Sequence, residues 1–202
     1  MIDLQSLPRG TTYTPRLISK GHDLESRFGG TDIRINRMGD RWALDVDVPA
    51  IKHADCGMAL IADLNAGWAE GVSLAWPQPG LSIRGRSGAV LVEGGAQTGT
   101  TLSLKGGKTG FLIKKGQFVS VAVTITGGTR RYLYQSRADT RIAADGTADL
   151  PIWPMVRRSP ADEDAVEILS PRIEGKLIGS GQEWTLGRLN STGLRFTIQE
   201  FA

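Results

Sequence analysis

Apolar and polar residues alternate most clearly around Trp42. Trp42, Leu44, Val46 and Val48 alternate with Arg41, Ala43, Asp45 and Asp47, a period of two that turns one row of side chains to a core and the other to water. Just upstream, Ile33 and Ile35 alternate with charged residues and Met38-Gly39-Asp40 supplies a turn, so residues 31–48 read as a hairpin with one buried face. Residues 1–30 hold two prolines and no clear period, which predicts an extended arm or a loosely attached edge strand.

After Pro49 the period lengthens. Met58, Ile61 and Leu64, flanked by Leu60, recur at helical spacing; Asp55 suits the N-terminal end and Asn65-Ala66-Gly67 offers a stop, predicting a helix over 54–65. Gly57 within it implies close packing on a sheet or a later start. A strand follows at 72–76, then strand-like runs at 81–84, 89–92, 100–104, 111–114, 117–125, 131–135, 140–143 and 149–153, separated by turns rich in glycine. Such spacing predicts a small antiparallel barrel or sandwich. Residues 161–166 read as an acidic linker, and strands return at 172–178 and through Leu194, Phe196 and Ile198. The pieces assemble as a mainly β protein: a β-sandwich with one flanking α-helix, made from both ends of the chain, with a small antiparallel β-barrel inserted.

Composition supports the reading. Glycine contributes 26 of 202 residues, against roughly 7% in average proteins. Cys56 is the single cysteine, which leaves no internal disulfide and no cysteine-built zinc site and suits a reducing compartment. The opening Met-Ile-Asp-Leu-Gln-Ser-Leu-Pro lacks the basic and apolar regions of an export signal, and no run is long enough to span a bilayer, so a soluble chain without membrane association is expected. Net charge is +3 and the Arg-Arg pairs at 130–131 and 157–158 are short, a weak electrostatic case for gripping nucleic acid.

Little chemistry stands out. Gly106-Gly107-Lys108-Thr109 ends like a phosphate-binding loop, but Leu102 stands where the first glycine is needed and a strand follows, so it reads as a hairpin turn capped by Lys108. His53 near Cys56 could be a thiol and base pair, and Asp45 with Asp47 a carboxylate pair, together the basis of a rival hydrolase reading; core packing and a wet strand face are the plainer accounts. Asp162, Glu163, Asp164 and Glu167 lack the spacing of a calcium loop. No catalytic, cofactor or metal site is assigned. A second alternative is a carbohydrate-binding module stacking a host-surface sugar on Trp76, Tyr132, Tyr134 and Trp153.

The segments "RMGDRWALDVDVPAI", "ALIADLNAG", "VEGGAQTGTTLSLKG", "LIKKGQFVSV", "GTADLPIWPMVR" and "RIEGKLIG", in that order from about Thr31 to the end, resemble the distal tail, or tail-tip, proteins of long-tailed bacteriophages and prophages. The resemblance implies a tail-tube-like β-sandwich over about 1–77 and 165–202, with 1–30 as its arm, and a peripheral β-barrel over 78–164. It further implies a structural virion protein without enzyme activity, made in the host cytoplasm. Six copies would form a ring joining the tail tube protein to the hub and fibre proteins, with DNA only passing through the lumen. Arg34, Asp45, Asp47 and Arg195 would then set register between subunits, where complementary charge fixes orientation more than affinity.

Overall fold

The computed structural model describes residues 1–4, 7–24, 29–31, 33–35, 38–53, 57–81, 87–179 and 181–201, with Arg34 as backbone alone. Its first strands are β1 (Ile2–Leu4), β2 (Thr12–Ile18), β3 (His22–Leu24), β4 (Ile33–Ile35), β5 (Arg41–Asp47) and β6 (Ile51–Lys52). Helix α1 (Met58–Glu70) and β7 (Val72–Ala75) follow. Then come β8 (Gly88–Val92), β9 (Thr101–Gly107), β10 (Leu112–Ile113), β11 (Phe118–Ile125), β12 (Gly128–Ser136), β13 (Thr140–Arg141), β14 (Ala148–Trp153) and β15 (Val166–Glu167). The chain finishes through β16 (Arg172–Ile178), β17 (Thr185–Leu186), β18 (Asn190–Thr192) and β19 (Arg195–Glu200). The protein is therefore mainly β, with one helix among the described residues.

Both ends of the chain build one six-stranded sheet, ordered β1-β7-β16-β19-β5-β2. Every ladder in it is antiparallel except β1 on β7. The alternation seen around Trp42 is the reason it works: Trp42, Leu44 and Val46 join Leu74, Ile173, Leu177, Phe196 and Ile198 in a single buried core. Residues 1–30 are more integrated than an arm. Leu4 of β1 is buried in that core, and β2 pairs with β5 along its whole length from Thr12↔Asp47 to Ile18↔Arg41. The hairpin expected over 31–48 is also repartnered: β4 pairs with β3, not β5, and Ile33 is 61% exposed. Met38-Gly39 therefore does not close a hairpin between β4 and β5, which pair with β3 and β2 respectively.

Helix α1 covers this sheet with Leu60, Ile61 and Leu64 and runs past the stop expected at Asn65-Ala66-Gly67. Gly67 is a contact glycine, since a side chain there would collide with Val72, and the stop is Gly71. Its φ of 79° suits glycine, and its N–H bonds back to the Gly67 carbonyl at 2.8 Å. Residues 54–56, the expected helix start with Asp55 and Cys56, lie outside the described residues, as do residues 82–84 of the strand expected at 81–84.

The second six-stranded sheet, ordered β15-β11-β12-β14-β9-β8, curls into a nearly closed barrel. Its strands fall where glycine-punctuated spacing placed them. The closing step comes from residues read as an acidic linker: Val92 N–H donates to the Asp164 carbonyl at 2.9 Å, Leu91 bridges Ala165, and Val166 and Ile168 enter the barrel core. The Gly106-Gly107-Lys108-Thr109 segment ends β9 in a turn. The N–H groups of Gly107, Lys108, Gly110 and Phe111 donate to the carbonyls of Gly146, Ser87, Ile142 and Lys108, so those amides are already committed and offer no cradle for phosphate.

Where the two cores meet, β12 lacks a strand neighbour. It pairs with β11 from Phe118↔Gln135 to Ile125↔Gly128, but with β14 only at Gln135 and Ser136. Two carboxylates from the first sheet take the missing strand's place. Glu174 of β16 accepts from the Arg131 N–H at 2.8 Å, and Glu200 of β19 accepts from the Leu133 N–H at 2.8 Å and, through its other oxygen, from the Trp42 N–H at 2.7 Å. Each acid is paired: Arg131 Nη1 and Arg157 Nη2 donate to Glu174 and Glu200, both at 2.7 Å. The Arg157 guanidinium is buried over the rings of Tyr132 and Tyr134, 5.1 and 5.8 Å from their centroids, which accounts for two nitrogens without hydrogen-bond partners. Burial raises the Glu200 carboxyl above its ordinary value, opposed by Arg157 and the two N–H donors, and pushes the Tyr134 hydroxyl up to about 12. Leu133 and Phe118 cross the seam, Phe118 meeting Trp42 and Trp76 at 4.9 and 4.7 Å between centroids.

Candidate assembly surface

The two faces of the first sheet differ in kind. One carries the core; the other is a ladder of charges whose members sit two residues apart on neighbouring strands. Asp45 accepts from Arg16 at 3.0 Å and from the Thr197 hydroxyl at 2.7 Å, and Arg195 pairs with Asp47 at 2.9 Å across the Arg195↔Asp47 register. Arg172 pairs with Asp3 and donates to Ser73 Oγ at 2.9 Å. Asp45 and Asp47 thus share a face, as alternation predicted, Arg195 joins them across the β19 and β5 register, and each carboxylate already has a partner in its own chain. Any bond to a neighbour would exchange with these exposed pairs, which are weak in water. Arg34 belongs to β4, opposite Asp23 on β3. Sequence reasoning missed Arg16 and Thr197, which flank Asp45: Thr197 alternates with Phe196 and Ile198 but its pairing with β5 was not visible, and Arg16 lies in a stretch without a clear period.

Beyond β2 and β5 the same two chain segments continue as the β3 and β4 ribbon. Its apolar side chains find no cover: Leu24 is 51% exposed, and Ile33, Ile35 and the neighbouring Met38 are also exposed. Edge strand β2, by contrast, is blunted. It contains Pro15, which has no N–H to offer a neighbour. The other edge, β1, is three residues long. Side chains of the ribbon, more than backbone edges, are what this molecule presents.

The residues proposed for sugar stacking are mostly interior. Trp76, Tyr132 and Tyr134 are buried core rings, Trp76 meeting Trp42 edge-on at 5.9 Å; Trp153 alone is half-buried. Buried faces are unavailable to a pyranose, which corrects that assignment for three of the four. His53 sits 2.9 Å from the buried Ser191 hydroxyl. Cys56, its suggested partner, lies outside the described residues. The acidic group is engaged locally: Asp162 takes hydrogen bonds from Lys105 and the Gly94 N–H, and Glu167 from the N–H groups of Leu169 and Ser170. Among the described residues no group of three or more His, Cys, Asp or Glu gathers as a metal site, and no helix is long and apolar enough to cross a membrane. No family model matches this chain, and no curated protein matches it in sequence.

Proposed function

We propose that this chain is a structural protein of a phage tail tip, of the distal tail type, which acts by assembling with copies of itself into a ring between the tail tube and the hub and fibres, and performs no catalysis. The resemblance of its ordered segments motivates the reading. The observation that carries it is the β3 and β4 ribbon, whose Leu24, Ile33 and Ile35 stay exposed although the same molecule has two well-filled cores. Apolar side chains gathered on a projecting ribbon mark a surface that another protein covers. A head-to-tail contact that closes satisfies every copy without growing a filament, consistent with a six-membered ring whose lumen passes DNA.

Sedimentation and electron microscopy of the concentrated chain, alone and with a tail tube protein, test this. Rings are expected, and Leu24→Asp combined with Ile33→Asp should abolish them while shifting unfolding stability by no more than about 0.5 kcal/mol. A chain that stays monomeric in every mixture, or a variant that still forms rings, overturns the reading.

A further inference from the structure

We propose that the crease between the sheet and the barrel is a binding site for an oxyanion, a carboxylate or phosphate group, held by Arg41, Arg130 and Lys176. The three cations come from three strands, β5, β12 and β16, and line a cleft of about 410 Å³ with Gln199, Ile178 and Phe201. That size lies within the range of small-molecule sites, and a crease between two structural units is a usual place for one.

Charge makes the case. On the polar face of the six-stranded sheet the other charged side chains are matched: Arg16 with Asp45, Arg195 with Asp47, Arg172 with Asp3 and Arg131 with Glu174. Arg41, Arg130 and Lys176 make no ion pair among the described residues. Glu200 borders the cleft in the chain, but its carboxylate is turned inward to the Trp42 and Leu133 N–H groups. Three like charges gathered without a counter-charge repel one another, and an anion between them removes that cost.

The cations are also held in place. The Arg130 guanidinium lies 4.1 Å from the Phe201 ring centroid, with the Lys176 ammonium 6.0 Å from the same ring. With the Gln199 amide turned so that its oxygen faces Arg41, the orientation that satisfies both groups, Arg41 donates to it through Nε at 2.8 Å and Nη2 at 3.0 Å. Phe201 is itself braced, since a side chain on Gly71 would come within 2.7 Å of its Cζ. Two guanidinium groups fixed before a ligand arrives give up little freedom on binding one, which separates a site from loose surface cations. All the lining residues come from a single copy, so the site is complete before any ring forms.

Titration of the full chain at low ionic strength, with inorganic phosphate in one arm and citrate in the other, followed by backbone and arginine Nε–H NMR shifts, tests the site. Saturable shifts centred on Arg41, Arg130, Lys176 and Phe201 are expected. Saturation in one arm alone identifies the group recognised; saturation in both assigns a general oxyanion site. Lys176→Gln, which breaks no contact within the fold beyond its distant approach to Phe201, should weaken binding about tenfold, the worth of one charge-assisted hydrogen bond. Lys114→Gln, a substitution of an exposed lysine on the barrel, should leave it unchanged. Unsaturable shifts, or equal weakening by both variants, overturn the proposal.

Discussion

The barrel and the six-stranded sheet treat their edges differently. The barrel brings β8 back to β15 and so pairs its outer backbone groups with itself, whereas the sheet ends in a three-residue strand on one side and a proline-bearing strand on the other. One stretch of barrel edge escapes closure, along β12, and there the sheet supplies Glu174 and Glu200 instead of a strand. A neighbouring strand must match register over many residues; a carboxylate needs only reach and an acceptor oxygen. Two folds of different curvature can therefore be joined firmly at a few points, provided each buried acid is neutralised, and Arg131 and Arg157 do so.

Substitution of the deeper acid should break this arrangement most severely. Glu200→Gln leaves the Arg157 guanidinium buried without its counter-charge and turns an amide NH₂ toward either the Leu133 or the Trp42 N–H. Losing one partner of a buried pair costs about 3–5 kcal/mol. Urea unfolding followed by the indole NMR signals of Trp42 and Trp76 in the sheet core and by an NMR signal from the barrel should then give two midpoints where the unaltered chain gives one. A single transition at an unchanged midpoint would mean that apolar contact through Phe118 and Leu133 alone joins the two units.

The shallower acid sharpens the comparison. Glu174 is nearly as buried as Glu200, but its partner Arg131 keeps a side chain 40% exposed, against 4% for Arg157. In Glu174→Gln the released guanidinium can turn to water, so the loss should be about 1.5–3 kcal/mol, that of hydrogen bonds to a charged group. Urea midpoints of the two variants measured together check the order; equal losses would show that exposure of the arginine does not set the cost.

Much of the architecture was legible because it is local. The strands between 88 and 178 are short, separated by glycine turns, and alternate cleanly, so β11, β12, β14 and β16 lie within a few residues of their expected bounds. What was hidden depends on partners distant in the chain. Nothing near Ile2 reveals that it pairs with Val72, and nothing near Ile33 reveals that its strand joins β3. Gly67 read as a helix stop because its real constraint, Val72 pressed against it, is tertiary. The seam did leave one mark: along β19 the inward row runs Phe196, Ile198, Glu200, and a glutamate in an apolar row announces a buried partner. The crease of Arg41, Arg130 and Lys176 left none, since its members come from three strands that only the fold brings together.

The smallest effect is expected where the barrel closes through an exposed contact. Asp162 at the 161–164 turn is held below its ordinary carboxylate value, first by the hydrogen bond from Lys105 and next by the Gly94 N–H. A carboxyl whose folded value is lowered contributes stability above its unfolded value of 3.8, and that contribution disappears as pH falls through the lower folded value. Asp162→Asn should therefore reduce the thermal midpoint slightly at pH 7, and the gap to the unaltered chain should narrow from about pH 4 downward. Because the ion pair is open to water, added salt should shrink the same gap at neutral pH. A difference that persists undiminished at pH 2 would assign the effect to turn geometry instead of charge.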